Sequence, residues 1–117
     1  MTMSLDVKVF QVACDQQPSA ENAELYYKLI KEEFDEFRVA HREKNDVEML
    51  DACMDMIWVI LGFCHMKGYK VEGAWNEVSR SNLAKIDTAT GKVRKREDGK
   101  VLKPEGWKPP DLKTYTK

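Results

Sequence analysis

A chain of 117 residues, 43% hydrophobic and 33% charged, is long enough for one compact domain with a modest core and too short for two independent ones. Nineteen Lys and Arg against twenty Asp and Glu give a formal charge of -1, which excludes the global basic field that draws a protein onto nucleic acid. The charge is segregated. Residues 19–55 hold eleven acids and five bases, and residues 88–117 hold four acids and nine bases, so a cation site and an anion site close together are expected. Cys14, Cys53 and Cys64 cannot pair completely and have no metal-ligand spacing, which fits a reducing, cytoplasmic setting. The N-terminus shows no secretory or lipidation signal. The longest apolar run, residues 56–64, is far shorter than the roughly 20 residues that cross a bilayer, so no membrane partner is expected.

Helical periodicity dominates to about residue 87. A first helix is predicted over about 4–16, with Ser4 as N-cap and Leu5, Val9, Val12 and Ala13 as its apolar stripe. Pro18 ends that stretch, and Ser19 opens a long second helix to about 44, with Leu25, Leu29, Phe34, Phe37 and Val39 among its apolar positions. Asn45 and Glu48 have capping-box spacing for a third helix over about 46–67, stopped by Gly68. From Ala52 to Cys64 that helix is apolar on every side except at Asp55, the pattern of an interior element surrounded by other helices. A fourth helix, about 71–87, turns Ala74, Trp75, Val78 and Leu83 toward the same core. Residues 88–117 then form an ordered, irregular basic tail, in which Asp98-Gly99 between Val93 and Val101 reads as a short hairpin and Pro104, Pro109 and Pro110 forbid helix. The expected architecture is all-α: a single four-helix bundle-like unit with that tail, self-associating through its apolar helices.

Carboxylates carry the chemistry. Residues three and four apart share a helix face, so Glu32, Glu33 and Glu36 cluster on the second helix, while Glu48, Asp51 and Asp55 line a stripe on the third. Antiparallel helices joined by a short turn bring such stripes together. The repulsion is relieved by divalent cations, and all-oxygen ligation selects Mg²⁺ or Mn²⁺. Taken alone, Glu32, Glu33 and Glu36 also fit a solvated face paired with Lys28, Lys31 and Arg38. Asp55 does not, because between Met54 and Met56 on the most apolar helix its charge demands a metal or a basic partner. Asp35, Glu43 and Asp46 read as surface charges.

Phosphate chemistry is the natural partner of such a site. Arg80, Asn82 and Lys85 fall within two turns of one another, Asn82 and Lys85 share a face, and the tail adds Arg94, Lys95, Arg96, Lys100 and Lys103. Taken alone, Arg80 and Lys85 also fit ordinary helix-surface charge. Covalent catalysis is not indicated, because no Ser, Cys or His stands beside a base in a recognisable pattern. Cys53, Cys64, Trp58 and Phe63 read as core, His41 and His65 as isolated, and Phe10, Trp75 and Trp107 as candidates for stacking on a base.

The motif Glu32-Glu33-x-x-Glu36, followed after eleven residues by Glu48-x-x-Asp51, together with Ser81-Asn82-x-x-Lys85 and a GKVLKP tail, resembles the all-α nucleoside triphosphate pyrophosphohydrolases, the MazG-like and phosphoribosyl-ATP pyrophosphohydrolase-like superfamily. The resemblance covers most of the chain. It implies Mg²⁺-dependent hydrolysis between the α and β phosphates to monophosphate and pyrophosphate. Glu33 and Glu36 become metal ligands, Glu32 orients or deprotonates the attacking water, and Glu48, Asp51 and Asp55 are the ligand candidates of the third helix. Asn82 and Lys85 hold phosphates, with Arg80, Arg96 and Lys100 as further contacts. Obligate dimers or tetramers are also implied. Ala52 departs from the pattern, since many relatives carry a Glu three residues before the position of Asp55. That departure sustains a second reading, a non-catalytic regulatory or antitoxin-like module whose acidic face docks a basic partner. A third is a phosphoesterase that releases orthophosphate.

Overall fold

The computed structural model describes residues 2–117. Four helices are present, α1 (Met3–Ala13), α2 (Ala20–Arg42), α3 (Asp46–Met66) and α4 (Val71–Leu83), followed by two short strands, β1 (Ile86–Asp87) and β2 (Lys92–Val93), and a 3-10 turn over Lys113–Thr116. The fold class is all-α, as the periodicity requires. The chain divides into two compact units, one running to Val71 with Thr116–Lys117, the other Glu72–Tyr115. Among the described residues no helix is long and apolar enough to cross a membrane.

In the first unit the helix starts follow capping chemistry. Ser19 accepts the Asn22 N–H at 3.0 Å, and Asn45 Oδ1 accepts the Glu48 N–H at 3.1 Å. The capping box is not reciprocal, because the Asn45 N–H is already given to the Ala40 carbonyl. α1 is capped by Thr2 rather than Ser4: Thr2 Oγ1 accepts the Leu5 N–H, which leaves Ser4 inside the helix to bond His65 Nε2 at 2.9 Å. α1 ends at Ala13 and α2 at Arg42, both short of expectation, because Asp15 and Lys44 turn left-handed at φ 56°. Gly68, at φ 75°, stops α3 as expected.

Packing rests on α2 against α3, with α1 against α3 beside it. Ala23, Tyr26, Val59 and Met66 form the core, with Leu29, Ile30 and Phe63 against it. α1 buries Val7 and Gln11, not the expected stripe of Leu5, Val9 and Val12, which is exposed. A polar residue can lie inside because it is fully engaged. Gln11 Nε2 donates to the Gly62 carbonyl at 3.1 Å, and Gln11 Oε1 lies 3.0 Å from His65 Nδ1. Nor is α3 enclosed on all sides within this chain: Ala52, Val59, Gly62 and Met66 are buried, whereas Leu50, Met54, Ile57, Trp58 and Ile60 face outward.

The second unit is built on α4 and the tail. α4 ends at Leu83, four residues before the expected limit, because residues 86–87 pair antiparallel with 92–93 in register Ile86↔Val93. The predicted hairpin at Asp98-Gly99 forms with Gly99 at φ 87° and a bridge between Lys95 and Val101. Trp75 and Leu83, expected in the core, are exposed. α4 instead meets its own tail: the Trp107 indole N–H donates to the Ser81 carbonyl at 2.6 Å, Glu77 Oε2 accepts the Asp111 N–H, and the Tyr115 ring lies over Gly73, where a Cβ would strike it.

Candidate active site

Glu33 and Glu36 stand three residues apart on α2, and Asp55 projects from α3. One carboxylate oxygen of each lies within 4.8 Å of the others. Ala40 on α2 and Ala52 on α3, each 4% exposed, lie near the trio and line the groove next to it. Below the trio runs a groove of about 480 Å³ lined by Asp35, Glu36, Glu43, Glu48, Asp51 and Ala52 among others. Glu36 therefore belongs both to the trio and to the groove in which Glu48 and Asp51 stand. Asp35 and Glu43, read from sequence as surface charges, are exposed as expected and also line this groove. The spacing Glu36, Ala40, Glu43 on one helix face was the signal that could have placed Glu43. Ala52, the departure from the acidic pattern, faces this groove.

The solvated-face reading required cationic partners. Among the described residues the ion pairs are Arg38–Asp35, Arg80–Glu77 and Arg96–Asp98, so none of Glu32, Glu33, Glu36 and Asp55 has one. Lys31 lies over the Tyr27 ring instead. Glu33 Oε2 is buried with no hydrogen-bond partner. Burial, followed by a hydrogen bond with Glu36 and by the charges of Glu36, Asp55 and Glu32, pushes the Glu33 carboxyl from 4.5 up to about 7. Asp55 is raised as well, by burial first and then by Asp51 and Glu36. Crowded carboxylates with an orphaned buried oxygen and no counter-charge fit a hard divalent cation, whose ligands would be oxygens throughout.

A consequence can be measured on the metal-free protein. Between about 4.5 and about 7 the folded chain keeps a proton on Glu33 that the unfolded chain has released. The stabilisation from that proton is therefore complete below 4.5 and lost as pH rises through 7. The melting temperature in EDTA is expected to fall between pH 5 and pH 8, and added Mg²⁺ to reverse the fall while releasing protons. A flat profile in EDTA would contradict the burial of Glu33.

The phosphate-contact candidates lie in the second unit. Lys85 donates to Asn82 Oδ1 at 3.0 Å, so those two do share a face. Arg80 is held bidentate by Glu77, at 2.8 and 3.3 Å. Arg96 grips Asp98 across the hairpin turn, at 2.7 and 3.2 Å, and Lys100 is exposed beside it.

The described residues thus form an all-α chain in which two adjacent helices share a carboxylate trio. Residues 8–82 match the phosphoribosyl-ATP pyrophosphohydrolase family, and the chain belongs to it. It is thus one of a family of hydrolases acting on phosphoric anhydride bonds, in the MazG-like superfamily. The match spans α2 and α3 with the whole trio and stops at Asn82, before Lys85 and the tail. No curated protein matches the chain.

Proposed function

We propose that the protein hydrolyses a nucleoside triphosphate between the α and β phosphates, with Mg²⁺ or Mn²⁺, giving the monophosphate and pyrophosphate in the upkeep of the nucleotide pool. The observation that carries this reading is the convergence of Glu33, Glu36 and Asp55 within 4.8 Å without a cationic partner. Those three residues would hold the cation, with Glu48 and Asp51 as further ligand candidates in the adjoining groove. When bound, the cation neutralises phosphate charge and makes an attacking water more acidic. Glu32, beside the trio, orients that water or accepts its proton, while Glu33 serves as a ligand once its own proton has left. Asn82 and Lys85 hydrogen-bond phosphate oxygens, with Arg80, Arg96 and Lys100 adding positive charge.

The chain would act as one domain in the cytoplasm and as a homodimer or homotetramer. Support for assembly comes from exposed Leu50, Met54, Ile57 and Trp58 on one stripe of α3, extended by Phe10, whose ring meets Trp58 edge-on at 5.6 Å. The deciding experiment is pyrophosphate release across canonical and modified nucleoside triphosphates and phosphoribosyl-ATP, with Mg²⁺ or Mn²⁺, on protein whose mass is read by light scattering. Pyrophosphate with monophosphate is expected from at least one substrate and a mass at least twice 13.6 kDa. Orthophosphate alone, or no product, would overturn the reaction assigned.

A further inference from the structure

The second unit holds ten Lys and Arg against seven Asp and Glu, and an open cavity of about 610 Å³ lies on it. Four cations line that cavity, Arg80, Lys85, Arg94 and Lys108, against the carboxylates Asp87 and Glu105. Arg80 is neutralised by Glu77, and Asp87 accepts the Ala89 N–H at 2.8 Å but keeps its charge, so Lys85, Arg94 and Lys108 face Asp87 and Glu105 with one positive charge in excess. Among the described residues, the Arg94 guanidinium and the Lys108 ammonium pair with no carboxylate. Lys85 is held in place by two contacts, the Asn82 amide and the face of Trp107, whose ring centre lies 5.2 Å from its Nζ. Lys103 lies 4.8 Å from the same ring centre. Trp107 in turn is fixed by its bond to Ser81. Positive groups gathered around one cavity repel one another, and an anion between them relieves the repulsion as the cation does among the carboxylates. The cavity has the size of a small-ligand site. Arg94, Trp107 and Lys108 all lie beyond the matched stretch of residues 8–82.

We propose that this cavity is a site for a phosphorylated anion that works without a divalent cation, held by Lys85, Arg94 and Lys108, with Trp107 positioning Lys85 beside it. The inference deepens the reaction proposed above and rests on it for the role of the anion, a phosphorylated reactant or product. Its chemistry stands separately, because guanidinium and ammonium groups bind phosphate oxygens directly.

The test is calorimetric titration of the full chain in EDTA at low salt, with inorganic pyrophosphate in one arm and a nucleoside monophosphate in the other. Saturable binding in at least one arm is expected, weakened about tenfold by Arg94→Ala and by Lys108→Ala, and further by the double variant. Both side chains are exposed and make no ion pair, so circular dichroism should show the wild-type fold. Glu36→Gln, which removes a carboxylate from the proposed cation site, should bind as the wild type does, and this separates failure of hydrolysis from failure of the cavity. Binding in neither arm, or binding that the double variant leaves intact, would overturn the proposal.

Discussion

Replacing Asp55 by Asn is expected to lower pyrophosphate release by roughly 10²–10³, the factor that corresponds to losing several kcal/mol of charge stabilisation on the phosphates. Shape is nearly conserved, so the loss isolates the charge. The same substitution should raise the melting temperature of the metal-free protein. Asp55 is held above its ordinary carboxylate range by burial and by Asp51 and Glu36, and its own charge helps raise Glu33. Removing it lifts repulsion that only a bound cation offsets. Glu36→Gln should behave alike, because Glu36 acts on both Glu33 and Asp55. The opposed signs are diagnostic. A residue that only supported the fold would lose stability and activity together, whereas a cation ligand loses activity while the metal-free chain becomes more stable. Hydrolysis within threefold of wild type in Asp55→Asn would remove this residue from the site.

Several parts of this arrangement were legible in the residues. Ser19 and Asn45 fixed the starts of α2 and α3 because each is a short polar side chain before a long periodic run, and both make the predicted bond. Gly68 marked an end because its left-handed conformation is what glycine allows. Asp15 and Lys44 adopt the same conformation without glycine, so the ends of α1 and α2 carried no comparable sign. The inward face of α1 was hidden for another reason. Periodicity ranks apolar residues, and Gln11 is buried by partners, Gly62 and His65, that lie more than fifty positions away in the chain. In α3 the apolar run was read as enclosure, yet its outer stripe is uncovered in the single chain. For the site, helix-face spacing gave the acidic stripes. Which carboxylates meet depends on the register of α2 against α3, which helix-face spacing within each helix does not fix. The tail cavity was least legible, since Arg94, Trp107 and Lys108 converge through turns rather than a period.

Gly62→Ala should cost the protein about 3 kcal/mol, a drop of roughly 10–20 °C in melting temperature, although alanine favours helix over glycine by about 1 kcal/mol. The reason is the crowding around α3 at this point. A Cβ on residue 62 would meet the Gln11 amide nitrogen at 2.9 Å and run into the edge of the Tyr26 ring. Neither neighbour can step aside cheaply. Tyr26 is 3% exposed and its hydroxyl is held by Gln16 at 2.6 Å, while Gln11 is 2% exposed and bonds the carbonyl of residue 62 itself. Moving Gln11 would also strip a partner from His65, leaving buried polar groups unmatched. Gly68→Ala supplies the contrast. There the backbone is left-handed at φ 75° with nothing within 4 Å of a Cβ, so only about 1 kcal/mol of conformational strain is expected. Thermal melts of the two variants should therefore differ severalfold in their shift. Equal shifts would mean that α1 packs on α3 more loosely than the Gln11, Tyr26 and Gly62 contact requires.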